Sequence, residues 1–441
     1  MRKNITEDIM RRILLVTFAA VAALTMGLKA QDVSFDSLYK DLPQPVAAAP
    51  AAAPVAAAPQ GQAAPAAERE WLVLVFINGV NDLGILGFAN KSINDMEKIG
   101  STDRVAVVVE YGIMGQDGSD ARNLQFQRGS KTIYVTRDND TGRITSLPFY
   151  ASNDGDMGSA ANLVRFVKRA ARRYPARHTA VVIWNHGAGR LGIAYDDVTK
   201  NHMEIDQLGR ALGQVRQFLG RKLDIFATDA CLMQMAGVAY EFKDSAEVVV
   251  GSEEVIPGDS YPYDAFLGPL AANPGMNAEQ LGALMVDAYA AYYSGDNITL
   301  SALRTSALPG FVGRLNNWVE AVRADPKAFK AAASRAAAVA TQNFSMKDSK
   351  DLYDYLGNVN DMLAKSPGVK AAGADLRDYI EGALIIKDSA SPSLPNAHGL
   401  AIYIPALRYN SANYEKLLFS RDSLWDDFLR EAMQARLDPN L

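Results

Sequence analysis

From Glu70 onward the chain alternates two hydrophobic patterns. Short, nearly unbroken apolar runs at residues 71–77, 105–111, 179–184, 223–227, 248–251 and 299–304 predict buried β-strands. Between them, apolar residues recur at helical spacing over 90–99, 158–174, 204–218, 232–242 and 278–293. A strand without polar alternation is covered on both faces, as when helical crossovers join parallel neighbours. The pattern therefore predicts an α/β fold with a mostly parallel central β-sheet flanked by helices. Residues 124–136 are β-rich and read as a hairpin or excursion. After Ser306 the pattern becomes helical, and 399–405 then returns a strand toward the first domain, so a helix-rich C-terminal region is expected to pack on the sheet. No internal repeat is visible.

The first 67 residues stand outside this alternation. Arg2, Lys3, Arg11 and Arg12 precede an apolar stretch over 13–28, closed by Leu28-Lys29-Ala30. That is the layout of a secretory signal occupying residues 1–30, with cleavage expected after Ala30. The stretch falls short of the roughly 20 apolar residues that span a bilayer, so no membrane span is expected once the signal is removed. A short segment, 31–42, leads into 43–67, which is almost wholly alanine and proline and reads as an extended linker or a removable pro-segment tether. The remainder divides into a first domain over 68–305 and a C-terminal region over 306–441. The expected location is secreted or periplasmic.

Composition narrows the classes. At 441 residues and 49% hydrophobic, the chain can bury a large core. A net charge of -5 leaves no basic footprint, so nucleic acid is not an expected partner. A single cysteine forbids an intramolecular disulfide and any multi-cysteine metal site.

That cysteine, Cys231, ends one apolar run, and His186, 45 residues upstream, ends another. Clefts in open α/β sheets form at the carboxyl ends of strands, so both side chains are candidates for one site. A thiol is mostly protonated at neutral pH and needs a base or a positive environment to act as a nucleophile. Cys231 is expected in the first turn of the 232–242 helix, where the amide dipoles favour an anion, with His186 taking the proton. Gly187 lets the backbone come close and offers an N–H which, with that of Cys231, suits an oxyanion hole. The plain alternative is a buried cysteine and a histidine that merely caps a strand. Caspase-like cysteine proteases place an Ala-Cys after one strand and the histidine about 50 residues upstream, and here the pair is Ala230-Cys231.

Four separated blocks carry a more specific likeness: Trp184-Asn-His186-Gly187-Ala-Gly189, Thr228-Asp-Ala-Cys231-Leu-Met233, Gly251-Ser-Glu-Glu254 with Pro257-Gly258, and Gly399-Leu-Ala-Ile-Tyr-Ile-Pro405. Together with the opening strand and turn over 71–83, they resemble the clostripain family of cysteine peptidases; Ala188 stands where that family often has a further glycine. The resemblance implies a caspase-like fold, a His186/Cys231 dyad, secretion, and cleavage of peptides or proteins after arginine or lysine. It also implies that Asp229 lines the pocket for the basic side chain, whose desolvation a carboxylate would offset. Asp229 reads equally well as a helix N-cap. Glu253, Glu254, Asp259 and Asp264 are secondary candidates for the cleft rim. Family members are commonly activated by self-cleavage between the two catalytic residues. Here 190–203 reads as an exposed, cuttable loop containing Arg190 and Lys200, and the bond after Lys200 is favoured.

Other chemistries find little support. Gly187, Gly189 and Gly192 satisfy G-x-G-x-x-G after a strand, but no amphipathic helix follows as dinucleotide binding requires. His178, His186, His202 and His398 include no HExxH pair, and no G-x-S-x-G elbow occurs. No cofactor is required by the thiol chemistry; calcium stays open and without assigned ligands, Asp196 and Asp197 being the nearest to a hard-oxygen pair. The competing functional class is a catalytically silent envelope or adhesion protein that displays a peptidase-like fold on the Ala/Pro stalk.

Overall fold

The computed structural model describes residues 68–113, 129–153, 155–363, 365–405 and 408–437. The signal, its cleavage after Ala30, the Ala/Pro segment and the 124–128 part of the expected excursion lie outside the described residues.

A nine-stranded sheet in the order β10-β8-β7-β6-β5-β1-β2-β3-β4 forms the centre. β1 (Arg69–Gly79), β2 (Val105–Ile113), β5 (Ala176–Trp184), β6 (Leu223–Asp229) and β7 (Ala246–Gly251) make its parallel interior. Antiparallel strands close both sides: β3 (Ser130–Tyr134) and β4 (Pro148–Ser152) beyond β2, β8 (Thr299–Arg304) and β10 (Ile385–Ala390) beyond β7. All six strands expected from the apolar runs are present, lengthened by up to three residues at an end.

The interior strands are apolar on both faces because both are covered. One face carries Leu72, Leu74, Phe76, Val181, Ile183 and Phe226 against helices Ala160–Arg173, Ile205–Leu219 and Ala236–Glu241. The other carries Trp71, Val73, Val75, Val182 and Ile225 against helices Phe88–Glu97, Tyr263–Ala272 and Ala278–Tyr292. Fully burying an aliphatic or aromatic side chain contributes roughly 1.5–3 kcal/mol, so this double cover dominates stability.

The helical C-terminal region packs on the first face, where Trp318, Tyr355, Trp425 and Phe428 join the same core cluster as the strand residues. Its strand return differs from the expectation. The segment that extends the main sheet is β10, whose Lys387 and Asp388 suit an edge. The 399–405 segment instead forms β11 (Ala401–Tyr403), paired with β9 (Ser349–Asp351) in a separate small sheet. It still reaches the first domain, since the Ala401 N–H donates to the Gln234 carbonyl at 2.9 Å.

Candidate active site

Three neighbouring parallel strands, β1, β5 and β6, deliver their carboxyl ends to one edge of the sheet. The order of connection changes direction here, because β1 leads to β2 on one side while β5 lies on the other. Such a switch point opens a crevice between diverging loops. Asp82 follows β1, His186 lies two residues past β5, and Cys231 lies two past β6.

The structure brings His186 and Cys231 to adjacent loops. Trp184 pairs with Asp229, and the Asn185 N–H donates to the Asp229 carbonyl at 3.2 Å, so the two chains leave the sheet side by side. A β-carbon on Gly187 would fall 2.4 Å from the Cys231 carbonyl oxygen. Only glycine permits that approach. The Gly187 N–H is directed at the sulfur, which also accepts from the Ile256 N–H at 3.3 Å. The Cys231 N–H donates to no group among the described residues.

The helix expected over 232–242, with Cys231 in its first turn, begins at Ala236, with Met235 as its N-cap. Cys231 and Leu232 form a turn instead, and Leu232 has the left-handed φ of 66°. The turn is held from outside: the Leu232 N–H donates to Glu254 O at 3.1 Å and the Gln234 N–H to Ser252 O at 2.9 Å. Those bonds to the loop after β7 replace the helical ladder, so the thiol lacks the expected helix-terminus field. Burial pushes the half-buried thiol up from its ordinary value, and the charges of Glu254 and Asp229 add to this. The N–H groups of Ile256 and Gly187 act in the opposite direction.

The imidazole is engaged elsewhere. His186 Nε2 lies 2.7 Å from Oδ1 of exposed Asp82, a residue given no role in the sequence reading although it falls within the 71–83 block. Its one available signal was position: like His186 and Cys231, it follows the carboxyl end of a strand.

Asp229 is not an N-cap. Its carboxylate is buried, and Oδ2 accepts from the Ser260 hydroxyl, the Tyr261 N–H at 3.2 Å and the Tyr263 hydroxyl at 2.9 Å. Oδ1 is buried with no partner, as is the Tyr289 hydroxyl, which feels the charges of both Asp229 and Cys231. Desolvation lifts the Asp229 carboxyl to about 6 against these hydrogen bonds.

The rim candidates scatter. Glu253 and Glu254 turn into the C-terminal region, accepting from the Gly399 N–H at 2.9 Å and the Ser345 N–H at 3.0 Å. Asp264 pairs with Lys98 at 3.0 Å, and Asp259 lies near Lys91. The 190–203 loop is buried or half-buried except at 197–200, rather than exposed throughout: Ile193 bridges Met203, and Arg190 lies beneath the surface with its guanidinium 4.1 Å from the Tyr403 ring centroid. Residues 197–200 form its exposed tip, with Lys200 at a left-handed φ of 59°. Asp196 is committed to the amides of Met157, Val198 and Thr199. Among the described residues no cluster of three or more His, Cys, Asp or Glu side chains is arranged to hold a metal. No described helix is long and apolar enough to cross a membrane.

The clostripain family model, that of the C11 peptidases, matches residues 75–431, which takes in all three loops and the C-terminal region. The chain belongs to the clostripain family. Clostripain of Hathewaya histolytica is 29% identical over 187 residues, 38% of this chain and 34% of that protein, so the chain spans about a third of that relative. An inactive zymogen C11 protease from Parabacteroides distasonis superposes with a TM-score of 0.60 at 18% identity, covering 80% of this chain and 98% of that one. A secreted C11 cysteine protease from Bacteroides thetaiotaomicron, bound to an irreversible peptide inhibitor, gives 0.59 at 18% identity, covering 81% and 99%. At these identities the likeness carries the caspase-like C11 fold, and it extends through the helical C-terminal region.

Proposed function

We propose that this protein is a secreted cysteine endopeptidase that cleaves after lysine or arginine through a His186/Cys231 dyad. What supports this is the contact of the two loops: the backbones that carry a histidine and the chain's single cysteine, far apart in sequence, pack together at a glycine whose place a larger residue could not take.

In this reading the thiol proton passes to the imidazole as sulfur attacks the scissile carbonyl carbon. The N–H groups of Gly187 and Cys231 receive the oxyanion. As the tetrahedral centre collapses, the imidazolium returns the proton to the departing amine, leaving a thioester. Water, deprotonated by the same imidazole, then releases the acid and restores the thiol. A thiol held above its ordinary value and a histidine turned to Asp82 describe a resting site, in which the proton moves only when substrate is present. The free Oδ1 of buried Asp229 supports its assignment to the pocket for the basic side chain, a pocket that opens on the Oδ1 side while the donors of the 256–263 loop keep Oδ2.

The exposed 197–200 tip supports self-cleavage after Lys200, and the signal layout of residues 1–30 supports export. Hydrolysis of a lysine reporter under reductant tests the whole reading. Turnover should vanish in Cys231→Ala and His186→Ala, and intact mass should show two chains in wild type but one in Cys231→Ala and in Lys200→Gln. A folded wild type that neither turns over the reporter nor cuts itself would leave the silent envelope protein as the better account.

A further inference from the structure

The three loops at the catalytic edge include one that the dyad leaves unused. Asp82 Oδ1 lies 2.7 Å from His186 Nε2, and this contact lowers the carboxyl from its ordinary value. The contact is built, because the loop carrying Asp82 is tied to the histidine loop by buried amides. Asn185 donates to Asn78 O at 2.6 Å and accepts from the Tyr195 N–H at 2.6 Å. Asn81 donates to Tyr195 O at 3.1 Å and accepts from the Leu83 N–H at 3.1 Å, fixing the turn from which Asp82 projects.

A neutral imidazole carries one ring proton, and a carboxylate partner draws it to the nitrogen it faces. With Nε2–H donated to Asp82, Nδ1 is the bare nitrogen. We propose that Asp82 is the positioning residue of this site: it holds His186 in the Nε2–H tautomer, keeps Nδ1 free to take the Cys231 proton, and steadies the imidazolium that results. This rests on the dyad reading above. It makes the site a relay across three neighbouring strands, β1 to β5 to β6. Because Asp82 is exposed, water screens it, and its effect should fall toward the low end of what general-base assistance supplies.

The test uses the full processed protein with Asp82→Ala and Asp82→Asn. Asp82→Ala should lower kcat about 10- to 100-fold with KM within about twofold, since Asp82 acts on proton transfer and not on substrate binding. Asp82→Asn keeps an acceptor oxygen and should recover part of kcat. Ring 15N signals of labelled histidine, assigned through His186→Gln, should report the Nε2–H tautomer in wild type and a mixture in Asp82→Ala. Unchanged ring signals overturn the proposal whatever the kinetics, as does kcat within about twofold of wild type in Asp82→Ala. Failure of wild type to turn over any basic reporter would instead strike the dyad reading, while the ring signals would still judge the Asp82 contact.

Discussion

Gly187 and Cys231 approach so closely that a β-carbon on the glycine would fall 2.4 Å from the cysteine's carbonyl oxygen, and 3.0 Å from both Ala230 Cβ and Met233 Cγ. The nearest obstacle is backbone, which cannot swing aside as a side chain can. Gly187→Ala should therefore push the histidine and cysteine loops apart, costing about 1–3 kcal/mol of stability by overpacking. Activity should drop further than stability, because a displacement near 1 Å can cost about 100-fold in rate. Thermal melting and kcat on one preparation would check this, and an active Gly187→Ala would remove the close approach from the argument.

The thiol should be sluggish in the resting protein. Burial and the charges of Glu254 and Asp229 raise it, so the thiolate fraction at neutral pH is small. Alkylation by iodoacetamide, followed as a single mass increment on the lone cysteine, should be slow at pH 7 and accelerate continuously above about pH 9. A rate already on its plateau at neutral pH would show a preformed thiolate and contradict the environment described here.

Asp229 should favour lysine over arginine. Its Oδ2 already serves three donors and only Oδ1 is free, whereas a guanidinium fork needs both oxygens and an ammonium needs one. Its carboxyl titrates at about 6, above the unfolded value, so the charge that attracts a basic side chain is lost as pH falls through that point. KM for a lysine reporter should rise below pH 6, and Asp229→Asn should abolish that dependence while lowering kcat/KM about 10- to 100-fold. Arginine reporters turned over as well as lysine ones would refute the single-oxygen argument.

The C-terminal region should be indispensable for folding. A chain ended after Thr305 would lose β10, expose the core face covered by Trp318, Tyr355 and Trp425, and strip the Cys231 loop of its bond from Ala401. Several buried side chains at roughly 1.5–3 kcal/mol each outweigh a typical folding stability of about 5–15 kcal/mol. Circular dichroism of that truncated chain should show no cooperative melt, and a sharp transition would mean that the two regions fold independently.

Much of this molecule was legible in its order of residues, because local rules applied. Strands such as Val105–Ile113 and Ala176–Trp184 are continuous apolar runs, and a parallel interior covered on both faces demands that pattern. His186, Gly187 and Cys231 sit where such strands end, which is where clefts open. What local rules could not reach were contacts made across the chain. The 232–242 segment has helical spacing, yet its first turns are taken over by amides paired to the loop after β7, so the helix begins at Ala236 and the thiol loses the field it would have had. Edge strand Ile385–Ala390 carries too few apolar residues to announce itself, since an edge with Lys387 and Asp388 is selected to be polar. Arg190 looked like a loop residue and is buried over Tyr403, an aromatic face from more than two hundred residues away. Asp82 is the clearest case: a lone acidic residue after a strand has no periodicity or motif, and only the side-by-side placement of β1 and β5 turns it toward the imidazole.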